Sequence, residues 1–223
     1  MRPLIFTLLA DGPSDSALMP ILRWVLQKHH SVDQIQSEWA DLRRLRPTPT
    51  ALKDRILAAV DLFPCDVLFV HRDAEREPPD KRYEEIRMAV IAATSEGFSL
   101  PLIHVVPVRM QEAWLLFDES AIRKAAGNPN GSVVLKLPSM TSVEDIPDPK
   151  RTLYELLQSA SEKRGRRLKK FYPAKHAHLI AEHVADFSPL IALNAFRRLE
   201  SEVKDFAMKG LAHRRALNNA ETA

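Results

Sequence analysis

Leu4-Ile5-Phe6-Thr7-Leu8-Leu9-Ala10-Asp11-Gly12-Pro13-Ser14-Asp15 is an apolar run that stops abruptly at a polar turn. The run has the length and the β-forming content of a strand. Asp11-Gly12-Pro13 breaks it, and Ser14-Asp15-Ser16 offers side-chain oxygens that cap helices. Beyond the turn, Leu18, Ile21, Leu22, Val25 and Leu26 recur at helical spacing to about Lys28. Strand, tight turn and helix in this order are the first unit of a parallel α/β sheet.

The same alternation continues. Val32 to Leu42 reads as a second strand, and a helix follows with Leu52, Ile56, Leu57 and Val60, closed by Pro64. Val67 to Val70 is apolar on both faces, as a buried parallel strand requires, and ends in His71-Arg72-Asp73-Ala74-Glu75. A helix from about Lys81 to Glu96, a strand at Leu102 to Val106 and a helical stretch over Arg109 to Asp118 complete the pattern. The expected architecture is a mostly parallel, doubly wound α/β sheet flanked by helices, occupying residues 1–126. Residues 127–149 are rich in Asn, Gly, Pro and Ser and read as a loop-rich excursion with a weak strand at Val133 to Leu137. Helical patterns fill a C-terminal region at 150–211, and residues 212–223 read as a disordered tail.

The bulk numbers exclude several classes. A chain of 223 residues with 45% hydrophobic and 27% charged residues is long enough for a full core. The single Cys65 excludes an intramolecular disulfide and a thiolate zinc cluster, so a reducing cytoplasm is the expected setting. No apolar stretch approaches the roughly 20 residues of a bilayer span. Gly-x-x-x-x-Gly-Lys, Gly-x-Gly-x-x-Gly and Gly-x-Ser-x-Gly are all missing, so ATPase, dehydrogenase and serine-hydrolase readings have no motif behind them. The charge of +3 says little about partners, and homo-oligomerisation is left open.

In an open parallel sheet, functional groups collect at the carboxyl ends of the strands. Asp11 and Asp15 follow the first strand; Asp73 and Glu75 follow the third, two residues apart and therefore on one side of an extended segment. Crowded carboxylates repel unless cations are present, and hard oxygen ligands suit Mg²⁺ or Mn²⁺. The expected site takes Asp11, Asp73 and Glu75 as its catalytic carboxylates, with Asp15 completing a metal shell. Taken singly, each acid is equally a helix cap or a loop residue. Glu112 either joins the cation or pairs with Arg109, Trp114 packs in the interior, and His71 binds phosphate or relays a proton to Asp73.

The ordered series resembles the Toprim fold of topoisomerases, bacterial primases and overcoming-lysogenization-defect nucleases, with Asp11-Gly12 after the first strand and Asp73-Ala74-Glu75 after a later one. It is closer still to the bacterial Toprim-like domain-of-unknown-function family 4276, through Asp11-Gly12-Pro13-Ser14-Asp15, the Asp73 cluster, Glu112-Ala113-Trp114-Leu115-Leu116-Phe117-Asp118, Asp148-Pro149-Lys150, Lys175 and Ala195-Phe196. The resemblance implies a Mg²⁺- or Mn²⁺-dependent nuclease acting on DNA or RNA, with an ATPase partner in a bacterial defence system. That family usually carries Glu where this chain has Asp11, a loss of about 1.5 Å of reach. The alternatives are a nucleic-acid-binding or regulatory subunit without turnover, and a small-molecule phosphoryl-transfer enzyme that would use the same acids without the basic tail.

Lys163, Arg164, Arg166, Arg167, Lys169, Lys170 and Lys175 place seven cations and no acid within thirteen residues, next to Phe171 and Tyr172. Arg166, Arg167, Lys169, Lys170 and Lys175 are the expected nucleic-acid contacts, since cations beside aromatic rings suit a phosphate backbone and unstacked bases. A solvated linker between helices has the same composition.

Overall fold

The structure of the protein is a computed structural model describing residues 2–30 and 34–221, with side chains through 210. Four parallel strands, β1 (Leu4–Leu9), β2 (Ile35–Trp39), β3 (Val67–His71) and β4 (Leu102–Val105), form one sheet in the order β2-β1-β3-β4. The expected start of β2 at Val32 lies outside the described residues. Helices α1 (Leu18–His29), α2 (Leu52–Leu62) and α3 (Pro79–Thr94) connect successive strands, as a parallel sheet demands. Five more follow: α4 (Glu119–Ala125), α5 (Pro149–Ser161), α6 (Gly165–Lys169), α7 (Ala174–His183) and α8 (Asn194–Glu221). This is the α/β class expected from the sequence.

Strand alternation divides the interior into two layers. Phe6, Leu8, Val67 and Phe69 face α1 and the C-terminal helices, in one apolar cluster with Trp114, Leu153, Ile180 and Phe196. Leu9, Leu68 and Val70 face the other way, onto Ile56 of α2 and Ile86 of α3. The helices beyond residue 149 thus share the core of the sheet. Trp114 is fully buried, as expected, but it lies edge-on to Phe196 of α8 at 5.4 Å between ring centres.

Three local readings change. The stretch expected to be helical from Arg109 is a 3-10 turn at Gln111–Leu115, entered through Arg109 in the left-handed region (φ 62°). Val133 to Leu137 is not a strand: the Val133 carbonyl accepts from Arg123, and its N–H donates to Glu162, so side chains have taken the groups a ladder would use. The backbone of α8 continues to Glu221, across the stretch where a disordered tail was expected; its side chains from 211 on lie outside the described residues.

Candidate functional site

The sheet reverses its winding between β1 and β3, since β1 leads outward to β2 while β3 lies on its other side. The loops leaving these two strands bound the crevice where open α/β sheets bind ligands. Alternation then sorts the acids. His71 and Asp73 continue the side of Val67 and Phe69, toward α1 and the C-terminal helices, whereas Arg72 continues the side of Leu68 and Val70.

On the first side, Gln111 bridges two carboxylates. Its backbone N–H donates to Asp73 Oδ1 at 2.9 Å, and its side-chain Nε2 donates to Asp15 Oδ1 at 2.9 Å. Asp15 is buried and also accepts from the Gly12 N–H (2.8 Å) and Ser14 Oγ (3.1 Å), which ties it to the 3-10 turn Pro13–Ala17. Glu112, buried beside Gln111, receives Lys150 Nζ at 3.5 Å. His71 gives its Nδ1 to the Val105 carbonyl (3.0 Å), so that nitrogen carries the hydrogen, and Nε2 faces Asp73 Oδ1 at 3.5 Å. Burial pushes the Asp73 carboxyl up to about 6; His71 opposes that shift, and the negative charges of Glu112 and Asp15 add to it. Burial pulls the Lys150 ammonium down, but the charges of Glu112, Tyr154 and Asp73 and the Glu112 hydrogen bond together outweigh it and hold the group above its usual range.

Gln111 carries an unmet requirement. It is 3% exposed, and its Oε1 has no hydrogen-bond partner among the described residues, although such atoms are seldom left unpaired in a folded interior. Because Nε2 donates to the carboxylate of Asp15, the amide cannot be flipped to offer Oε1 to that acid.

Beside these groups opens a cleft of about 500 Å³. Its walls include Pro13 and Ser14, Gln111 and Glu112, Lys150 at the start of α5, and Lys175 and His178 in the first turns of α7. Two helix N-termini and two ammonium groups therefore share the cleft with the Glu112 carboxylate, giving it both anion-attracting and cation-attracting groups.

No family model, curated protein or solved structure matches the chain.

The structure does not bring the expected set together as one site. Asp11 points to the α2 and α3 side, where Arg55 Nη1 (2.6 Å) and Arg72 Nη1 (3.0 Å) hold its carboxylate. Burial alone would raise the Asp11 carboxyl; the Arg55 hydrogen bond and the charges of both arginines outweigh it and hold it below the usual range. Glu75 was expected beside Asp73, but it adopts the left-handed region (φ 56°), which breaks the strand alternation. Its N–H meets the Arg109 carbonyl at 2.7 Å, and its exposed carboxylate reaches Arg82 at 3.5 Å. Arg82 also donates to the Asp73 carbonyl and to Glu85, so Asp11, Glu75 and Glu85 join an arginine network behind the strand ends. Arg109 contributes backbone to this turn, and Glu112 pairs with Lys150. Among the described residues, no group of three or more His, Cys, Asp or Glu is gathered tightly enough to hold a metal ion as it stands.

Of the expected nucleic-acid contacts, Lys175 lies on the cleft wall, and the others precede it closely in the chain. Arg166, Arg167, Lys169 and Lys170 are exposed on and just after α6, and none has a carboxylate partner among the described residues. Sequence reasoning gave no role to Gln111 or Lys150. Gln111 adjoins the weighed Glu112, and Lys150 stands in Asp148-Pro149-Lys150, so the available signal was position beside a motif.

Proposed function

We propose that the cleft binds and hydrolyses phosphodiesters with the help of Mg²⁺ or Mn²⁺ held by Asp73, Asp15, Glu112 and the Gln111 side-chain carbonyl. The observation that carries this reading is Gln111 Oε1, a buried acceptor without a partner among the described residues, held beside Asp15 and beside Asp73, whose carboxyl burial makes reluctant to ionise. All these donors are hard oxygens, the set that Mg²⁺ and Mn²⁺ prefer. The acids are not gathered in advance, so on this reading binding couples to their closing up. A bound cation supplies Lewis acidity to the phosphate and lowers the cost of forming hydroxide from water.

The chain's own groups account for the rest. Lys150 and Lys175, with the N-termini of α5 and α7, attract and orient the phosphate oxygens. His71, fixed by the Val105 carbonyl, presents Nε2 to Asp73 and is in place to share a proton with it. Gln111 holds Asp15 and Asp73 at fixed separation through its two donors. The arginine network fixes the strand ends from the opposite side, so Asp11 and Glu75 serve as supports here. The likeness to Toprim nucleases and to domain-of-unknown-function family 4276 agrees with this chemistry, and an ATPase partner is carried by that likeness alone.

Incubation with plasmid, single-stranded DNA and RNA in Mg²⁺, Mn²⁺ or EDTA tests the proposal. Expected is cleavage in a metal-containing reaction and none in EDTA, with Mn²⁺ binding by calorimetry that Asp73→Asn weakens by orders of magnitude. The arginine lock on Asp11 favours a second reading, a nucleic-acid-binding subunit without turnover. Tight binding with no cleavage in either metal would select it.

A further inference from the structure

We infer that the ligand entering the cleft is a single-stranded segment of nucleic acid, guided by the α6 cations and seated on Tyr172; this rests on the phosphate-handling reading of the cleft. The α6 segment carries Arg166, Arg167, Lys169 and Lys170 in exposed positions, without carboxylate partners among the described residues. Such an unneutralised track favours a polyanion over a single phosphate, because each neutralised phosphate releases condensed counterions.

Tyr172 joins the track to the cleft. It is 60% exposed, an unusual position for a large ring, and it follows directly on Phe171, which is buried and stacked on His176 at 4.5 Å. Lys175 Nζ lies 5.6 Å from the Tyr172 ring centre, and Lys175 also lines the cleft. A solvent-facing ring with a cation at its face, set between a basic track and a phosphate-attracting cleft, is the arrangement that stacks an unpaired base. Size points the same way. A volume of about 500 Å³ is that of a small-ligand pocket, whereas a duplex has a major groove alone about 12 Å across and does not enter.

The test is fluorescence anisotropy of the full chain in EDTA, so that binding is read without metal. Probes are a labelled twelve-nucleotide single-stranded DNA, the matching RNA, and a blunt duplex of equal phosphate number. The single strands should bind about tenfold or more tightly than the duplex, and the DNA and RNA arms distinguish the two sources of this chemistry. Tyr172→Ala should remove most of that preference while leaving duplex binding unchanged, and Tyr172→Phe, which keeps the ring, should retain it. Joint replacement of Arg166, Arg167, Lys169 and Lys170 by Ala should weaken every probe and flatten the salt dependence by about 0.7 log units per lost contact on single strands. Equal or tighter duplex binding, or a preference untouched by Tyr172→Ala, overturns the inference. Failure of the metal reading would show instead as unchanged Mn²⁺ binding in Asp73→Asn, which these EDTA measurements do not touch.

Discussion

Asp73 concentrates the tension of the site in one carboxyl. Its folded-state value of about 6 lies above its ordinary 3.8, so between those values the native state binds the proton more tightly than the unfolded chain. Stability of the metal-free protein therefore falls as pH rises through that window and is lowest above it. Asp73→Asn removes the effect: the metal-free variant should melt higher than the parent at pH 7.5, with the difference vanishing below about pH 4. A shift of about two units is worth at most about 3 kcal/mol, and partial exposure reduces that to about 1–2 kcal/mol, or about 2–8 °C. Differential scanning calorimetry across the pH range checks it. A variant that melts lower at pH 7.5 and still binds Mn²⁺ would make Asp73 a structural acceptor. The sequence made Asp73 legible because it follows a strand apolar on both faces. Glu75 was misplaced because alternation assumes an extended backbone, and a positive φ at a non-glycine residue has no signature in composition.

Single elements carry the site's second half. In α5, Asp148 accepts from the Arg151 N–H at 2.9 Å and Pro149 occupies the first turn, so the helix start is fixed and Lys150 stands at the cleft. Asp148→Ala should cost about 1 kcal/mol, read by chemical denaturation, and should weaken oligonucleotide binding because Lys150 loses its anchored turn. An unchanged affinity would mean that Lys150 is placed by Glu112 and not by the helix. The periodicities that define α5 and α7 are plain in the sequence, since Leu153, Leu156, Leu157 and Ile180 fall on buried faces. The 3-10 turn at Gln111–Leu115 is not, because five residues are too few to establish a period and all five side chains are buried. Val133 to Leu137 differs for another reason: a short β-forming apolar run is present, but among the described residues no strand pairs with it.

At the scale of the molecule, one apolar cluster runs from Phe6 and Phe69 on the sheet to Leu153, Ile180 and Phe196 in the C-terminal helices. Sheet and helical region should therefore unfold together. Far-UV circular dichroism and tryptophan fluorescence should give coincident urea transitions, because Trp24 and Trp114 both pack at this shared interior. Separate transitions would mean that the helical region is an independent unit. The composition boundary near residue 127 was legible, but it marks a change of local chemistry and leaves the core undivided; which helices share a core depends on contacts far apart in the chain.

Glu112 on the cleft wall and the neighbouring Asp15 and Asp73 come early in the chain, whereas the ammonium groups come from positions 150 and 175. A chain growing from a ribosome thus presents Asp15, Asp73 and Glu112 long before Lys150 and Lys175 emerge. Trp114 lacks Phe196, its ring neighbour in the finished fold, for longer still. The wall that carries the ammonium groups is thus built late, so on the proposed reading the nascent protein passes through much of its synthesis as an acidic, incomplete crevice, and polyanion binding would await the docking of α7.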